Sequence, residues 1–411
     1  MSSLITNIKN NIAPSIVVFL VALPLCMGIA LASGMSPLTG LLSGIIGGLI
    51  IGPLAGAPLQ VSGPAAGLVV IVHGIIIQDG IAGLAMATLI AGILQVLAGV
   101  FKQGETFKLI PNSVITGMLM GIGTLIFFSQ IHVLFDYSSG SSFSANLLGV
   151  GETAMGVFRE PSRLIVAALS LGIILFWAPV SRKLKLEKLP SQLLAVILVS
   201  LMVPLLSVPV KMVEISNDVF SHLGDGVLWK NFEGLTLSMV MDGIILGVVA
   251  SAESMLSTGA IKNLKPDTPA HYSKELFAQG VGNMAAGLLG AIPVTGVIVR
   301  SSANIESGAT SRASAIMHGL WLLLFISFGA FLLNHIPLAV LAAILCVIGW
   351  KLIKPKNIYL SLKNFNYDSL LMLSTWLGVI FIDLLSGVCI GIGLAIARSE
   401  KVRGLFKQPH S

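Results

Sequence analysis

The chain has 411 residues, of which 55% are hydrophobic and only 10% charged, with a formal net charge of +6. Soluble domains carry about a quarter charged residues, so this composition excludes an ordinary soluble fold. The basic residues lie in short clusters between apolar spans, the pattern of membrane-flanking charge and not of a nucleic-acid-binding face.

The apolar stretches show no period-two alternation, which excludes a β-barrel and leaves an all-α polytopic membrane protein. In the first half, helical segments are expected near 12–33, 37–56, 63–78, 80–101, 110–134, 164–180 and 190–207. In the second half they fall near 236–258, 274–291, 295–304, 312–333, 337–353, 368–383 and 386–399, about fourteen in all. The first apolar stretch contains Pro14 and Pro24 and no cleavage motif, so it is no signal peptide. Polar connections are expected near 136–162 and 209–234, facing outward. Cys26, Cys346 and Cys389 all fall inside apolar runs and are expected to be buried and structural. No metal-ligand spacing, Walker loop, nucleophile elbow or dinucleotide fingerprint occurs, so neither a cofactor nor an enzyme activity is expected.

Charge distribution fixes an orientation. With the N-terminus in the cytoplasm, only Arg159, Arg163, Lys211 and Lys230 of the 24 Lys and Arg face outward, and Arg300 lies within the membrane. Positive charge concentrates on cytoplasmic loops, so both termini are placed in the cytoplasm of a bacterial cell, with the chain in its inner membrane.

Two of the expected segments, 63–78 and 295–304, are short, and each follows a proline-containing break. "GIIGGLIIGPLAGAPLQVSGPAAG" in the first half and "GVGNMAAGLLGAIPVTGV" in the second repeat one plan. Gly/Pro-interrupted segments at matching places in two halves mark a transporter binding site between half-helices. The first turn of a helix has unpartnered N–H groups and the positive end of the helix dipole, so two opposed helix starts can bind an anion through backbone alone. The candidate stretches are Gly63–Gly67 and Gly296–Arg300, with Ser62 and Thr295 as expected N-caps. The competing reading is a pair of ordinary helix kinks.

Two charges fall inside apolar spans. A charge at the bilayer centre costs several kcal/mol unless it is paired or functional. Arg300 either supplies positive potential to a permeation path or pairs structurally. Glu253, in "GVVASAESMLSTGA", has Ser257 one turn further on the same face. It could pair with Arg300, carry a proton, or contribute with Ser257 to a cation site.

The stretch "GAIPVTGVIVRSSANIESGATSRASAIMHG" resembles the tenth-helix signature of the sulfate permease (SulP) family, "GxxPxTGxxxRxxxNxxxGAxS". "LPLCMGIALASG", "VSGPAAGL" and "AESMLST" are similar to its first-, third- and eighth-helix motifs. The resemblance covers about residues 12–399. It implies one transmembrane domain of two inverted repeats of about seven helices, near 12–207 and 236–399, divided into a core and a gate, without the STAS domain many members carry. It implies elevator-type secondary transport of a small inorganic anion, sulfate or bicarbonate, by a homodimer in the lipid bilayer, with a proton or sodium as coupling ion.

Carried over residue by residue, the resemblance places the anion at the backbone of Gly63, Ala65, Ala66, Val297, Ile298 and Val299, with Arg300 as the family arginine. Glu253, with Ser257, takes the coupling position. Leu25, Ala65 and Val299 stand where some members carry polar or hydroxyl side chains, which shifts the expected site toward backbone amides. A nucleobase–cation symporter of the same fold, or an anion channel or exchanger, would present similar breaks. Nucleobase symporters carry a second acid in the tenth helix, whereas here Arg300 occupies that region and Glu306 comes later.

Overall fold

Lipid offers the backbone no hydrogen-bond partners, so a chain this apolar satisfies its N–H and C=O groups within helices. The computed structural model, which describes residues 2–140, 142–184, 186, 189–205, 207–214 and 234–398, is helical over most of that length. The expected basic residues Lys185, Lys188, Lys230, Lys401, Arg403 and Lys407 lie outside the described residues, as does most of the 209–234 connection.

The first half runs α1 (Ser2–Ala32), α2 (Pro37–Ile46), a π-helical turn (Gly47–Ile51), α3 (Gly52–Leu54), strand β1 (Ser62–Pro64), α4 (Val69–Val100), α5 (Asn112–Leu134), α6 (Phe143–Arg159), α7 (Pro161–Leu184) and α8 (Ser191–Leu205). The second half runs α9 (Leu237–Leu264), α10 (Tyr272–Leu289), strand β2 (Val294–Gly296), α11 (Ile298–Glu306), α12 (Ala313–Gly329), α13 (Leu338–Ile353), α14 (Pro355–Lys363), α15 (Tyr367–Phe381) and α16 (Leu384–Arg398). Among the described residues, eight helical stretches are long and apolar enough to cross a bilayer. α4 is two helices end to end, matching the expected segments 63–78 and 80–101, and they meet at Gly80, which takes φ 70° and ψ −169°, a conformation open to glycine.

The helices form two packing groups. In one, α4 lies along α9 and α10, while α1 packs with α2, α11 and α12. In the other, α5 lies along α13, α15 and α16, and α7 packs with α8 and α13. Every residue of α13 from Ala339 to Cys346 is buried. Its apolar side chains join α1, α8 and α12 on one side, and Leu345 joins α4 and α5 on the other.

Three local expectations are corrected. The outward connection near 136–162 contains helix α6, started by Ser142, whose hydroxyl accepts from the Ala145 N–H at 3.2 Å. Buried His132 of α5 ties this helix down through the Thr153 hydroxyl (2.6 Å) and the Asn146 carbonyl (2.9 Å). Cys389 is exposed on α16, whereas Cys26 and Cys346 are buried. Ser62 and Thr295 are strand residues and not N-caps; the residues preceding the two helical starts are Ala65 and Val297, both with extended backbone.

Candidate functional site

The two breaks meet. β1 and β2 pair antiparallel, with Ser62 opposite Gly296, Gly63 opposite Thr295 and Pro64 opposite Val294. The Val297 N–H donates to the Val61 carbonyl at 2.9 Å and lengthens the ladder. Extended backbone inside a membrane survives only where protein groups satisfy it, and here each break satisfies the other. After β1 the chain turns through a 3-10 segment, Ala66–Leu68, into α4; after β2 it passes Val297 directly into α11. Antiparallel strands carry the two helices away in opposite directions. The helix N-termini therefore face one another across a ladder only about 10 Å long, at roughly 3.3 Å per residue.

The expected backbone residues gather around this ladder. Ala65 is buried and Ala66 half-buried at the first start. The first-turn amides of Ile298, Val299 and Arg300 have no intrahelical acceptor. Ile298 and Val299 lie on the open side of α11, 37% and 42% exposed, while Arg300 points inward and is 0% exposed.

The Arg300 guanidinium lies behind the first break. Nη2 donates to the Pro64 carbonyl at 3.3 Å, and Nε and Nη1 have no hydrogen-bond partner among the described residues. The Cys26 thiol and the His318 ring lie alongside. A side chain at Gly63 would collide with Nη1. Among the described residues no carboxylate comes within 4 Å of Arg300, so the considered pair with Glu253 does not form.

Glu253 instead faces the first helix start. Its carboxyl meets the Gly67 backbone and the Thr295 hydroxyl, and Oε2 has no close hydrogen-bond partner. A Cβ on Gly67 would sit 2.8 Å from both carboxyl oxygens. Ser257, one turn along α9, donates to the Gly296 carbonyl at 2.6 Å, and Ser254 accepts from the Gly296 N–H at 3.1 Å. These two hydroxyls hold β2 against α9.

The sequence reading missed the helix that aligns both breaks. Buried Glu275, Gln279 and Asn283 lie at successive i, i+4 positions on one face of α10. Glu275 accepts from the Ala57 N–H (2.9 Å), Gln60 (2.9 Å) and Gln279 (2.8 Å), and Gln279 also donates to Ser62 (2.7 Å). Asn283 bonds both the N–H and the carbonyl of Val294, at 2.7 and 2.9 Å. Gln60 continues the network to Thr258 of α9 at 2.9 Å. On the far side, Asn304 of α11 donates to the Leu59 carbonyl at 3.0 Å, and Ser301 accepts from the Val61 N–H at 3.0 Å. Polar residues recurring every fourth position in an otherwise apolar helix were the available signal.

A cavity of about 460 Å³ opens between the two packing groups, lined by Val70, Ile71 and Gln78 of α4, Leu125 of α5, Asp242 of α9 and Leu384 of α16. Its inner end reaches the first turn of α4.

The profile of the sulfate permease family matches residues 8–375. The chain belongs to the sulfate permease family. It is 34% identical over 397 residues to the putative sulfate transporter YvdB of Bacillus subtilis (strain 168), spanning 94% of this chain and 72% of that one. It is 25% identical over 408 residues to the bicarbonate transporter BicA of Picosynechococcus sp. (strain ATCC 27264 / PCC 7002 / PR-6), spanning 95% and 69%. The transmembrane domain of a cyanobacterial BicA superposes with a TM-score of 0.81 at 25% identity, covering 93% of this chain and 97% of that one. SLC26A9 shares the fold, with a TM-score of 0.77 at 16% identity over 98% of this chain and 66% of its own. These are transporters, and the chain is an integral membrane transport protein and not an enzyme.

Proposed function

We propose that this family member is a secondary active transporter of a small inorganic anion, sulfate or bicarbonate, held between the starts of α4 and α11. The observation that carries the reading is the buried Arg300 guanidinium, which lacks a carboxylate within 4 Å beside two opposed helix N-termini. An unneutralised charge inside a membrane is costly, and an anion at the amides of Gly63, Ala65, Ala66, Ile298 and Val299 would neutralise it, the Val297 N–H being already given to the Val61 carbonyl. The names of the bicarbonate and sulfate transporters that the chain resembles support the substrate class.

Movement follows from the two packing groups. The site is built wholly within the α1, α4 and α9–α12 group, so sliding that group against the α5, α13, α15 and α16 group would carry the anion across as an elevator. In this reading the domain comprises two inverted repeats near 12–207 and 236–399, set in the inner membrane as a homodimer with cytoplasmic termini.

Glu253, flanked by Ser257, is the coupling group. Its carboxyl occupies the first helix start, where an ionised carboxylate would compete with and repel the incoming anion. Protonation removes that repulsion, so proton and anion bind together and acidification on the uptake side favours uptake. Labelled sulfate or bicarbonate entering proteoliposomes, with and without a pH gradient, tests both parts. Uptake of neither anion overturns the substrate assignment, while uptake indifferent to the gradient overturns proton coupling. Sodium coupling is tested in the same vesicles by a sodium gradient at constant pH.

A further inference from the structure

We propose that α14 and the lysines around it form a docking surface for anionic phospholipid headgroups at the cytoplasmic face. The inference needs the membrane orientation read from the charge distribution and is independent of the anion site. α13 ends at Ile353, and Lys354 takes a left-handed conformation (φ 47°, ψ 64°), so α14 starts as a separate helix with Pro355 at its first position. None of the nine residues of α14 is buried. Its side-chain hydrogen bond to the rest of the fold runs from the Ser361 hydroxyl to the Met372 sulfur, at 4.0 Å.

At 100° per residue, Pro355, Ile358, Tyr359 and Leu362 share one face of α14. Tyr359 is 63% and Leu362 61% exposed, and Trp350 and Phe365 at the two ends are also exposed. Lys356 and Lys363 lie together along one border of this apolar arc, and Lys351 and Lys354 precede it; all four are exposed. No Asp or Glu occurs from 351 to 367. Among the described residues none of the four lysines has an acidic partner within 4 Å.

This is the chemistry of a helix lying in the headgroup plane. The apolar arc enters the acyl boundary, Trp and Tyr sit at the interface, and lysines extend toward lipid phosphates. The unbroken positive charge selects anionic over zwitterionic headgroups.

The test uses the full chain in nanodiscs of phosphatidylcholine with and without phosphatidylglycerol, followed by native mass spectrometry of the retained lipids. Wild type retains phosphatidylglycerol selectively. Lys351→Gln, Lys356→Gln and Lys363→Gln combined reduce that selectivity by roughly fivefold per lysine, whereas Arg182→Gln with Lys183→Gln, outside this surface, leaves it unchanged. Undiminished selectivity in the triple variant overturns the proposal. So does displacement of the lipid by excess inorganic phosphate, which would mark a site for a soluble anion. Should the triple variant fail to purify, Leu362→Asp, which keeps every lysine but bars the arc from the acyl boundary, gives the second reading; selectivity unchanged in that variant overturns the proposal equally.

Discussion

The two breaks share a plan but meet charge differently. The first, from Ala57 to Leu68, turns slowly through a 3-10 segment, and the Glu253 carboxyl stands against its Gly67 backbone. The second, from Ala291 to Arg300, passes straight from strand to helix and leaves Ile298 and Val299 open, with the guanidinium of its own first turn folded back behind the first break. The acid of α9 thus stands before the first helix start, and the guanidinium that the second helix start carries lies behind that same break. The two breaks supply matched backbone scaffolds, and single side chains then polarise them. In the proposed reading the Arg300 charge holds the anion, and a proton on Glu253 changes the affinity.

The largest expected effect is on the basic side. Arg300→Ala should lower uptake by at least about a hundredfold, the scale of a lost buried charge contact of roughly 3 kcal/mol. Because Arg300 and Glu253 do not pair, adding Glu253→Gln should not restore it. Full recovery in the double variant, measured as initial uptake rate, would show that the two charges chiefly answer each other.

On the acidic side, Gly67→Ala places a methyl group where both Glu253 oxygens lie 2.8 Å away. The carboxyl must shift, and anion affinity should fall by about tenfold, the scale of one displaced charge-assisted contact of roughly 1.5 kcal/mol. An unchanged KM would show that the first helix start is not in contact with the anion. Glu253→Gln should abolish the response to a pH gradient while uptake driven by the anion gradient persists.

The scaffold comes next in size. Asn283→Ala leaves both backbone groups of Val294 without their side-chain partner, and Glu275→Gln sets an amide donor against the Ala57 N–H while its oxygen still accepts from Gln60 and Gln279. Each should cost roughly 1–3 kcal/mol of stability and raise KM more than it lowers kcat, read from melting curves and uptake kinetics. Loss of stability with unchanged KM would limit α10 to a structural role.

The smallest effect lies outside the membrane. Burial pushes the Asp136 carboxyl up from its ordinary range, against the Lys211 backbone N–H that holds Oδ2 and the nearby Arg163 charge. A raised folded-state pKa means that the ionised form costs stability at neutral pH, that the cost shrinks as pH falls below the folded-state value, and that it is gone below the unfolded-state value. Asp136→Asn should therefore raise the melting temperature slightly at neutral pH and change it little near pH 4. An equal shift at both pH values would contradict the burial argument.

Much of this contrast was legible in the chain itself. Pro293 and Gly296, Gly63 and Pro64, and the isolated Arg300 and Glu253 are anomalies in apolar segments, and anomalies of composition need no partner to be seen. What remained hidden depended on partners distant in sequence. Arg300 finds the Pro64 carbonyl, and Glu253 finds Gly67, because β1 pairs with β2 in one register, which no local pattern specifies. Ser62 and Thr295 look like N-caps until the strand pairing claims them. Gln60 and Glu275 read as polar residues near a helix end; only the fold brings them to 2.9 Å. The polar composition of Phe143–Arg159 points to a loop because it outweighs the apolar face of α6.

The most direct measurement is a structure of the full chain bound to the anion that uptake experiments identify. The expected result is density within hydrogen-bond distance of the Ile298 and Val299 amides, across from Ala66, with Arg300 supplying charge behind it. Anion density away from both helix starts, in a protein that still transports, would contradict it.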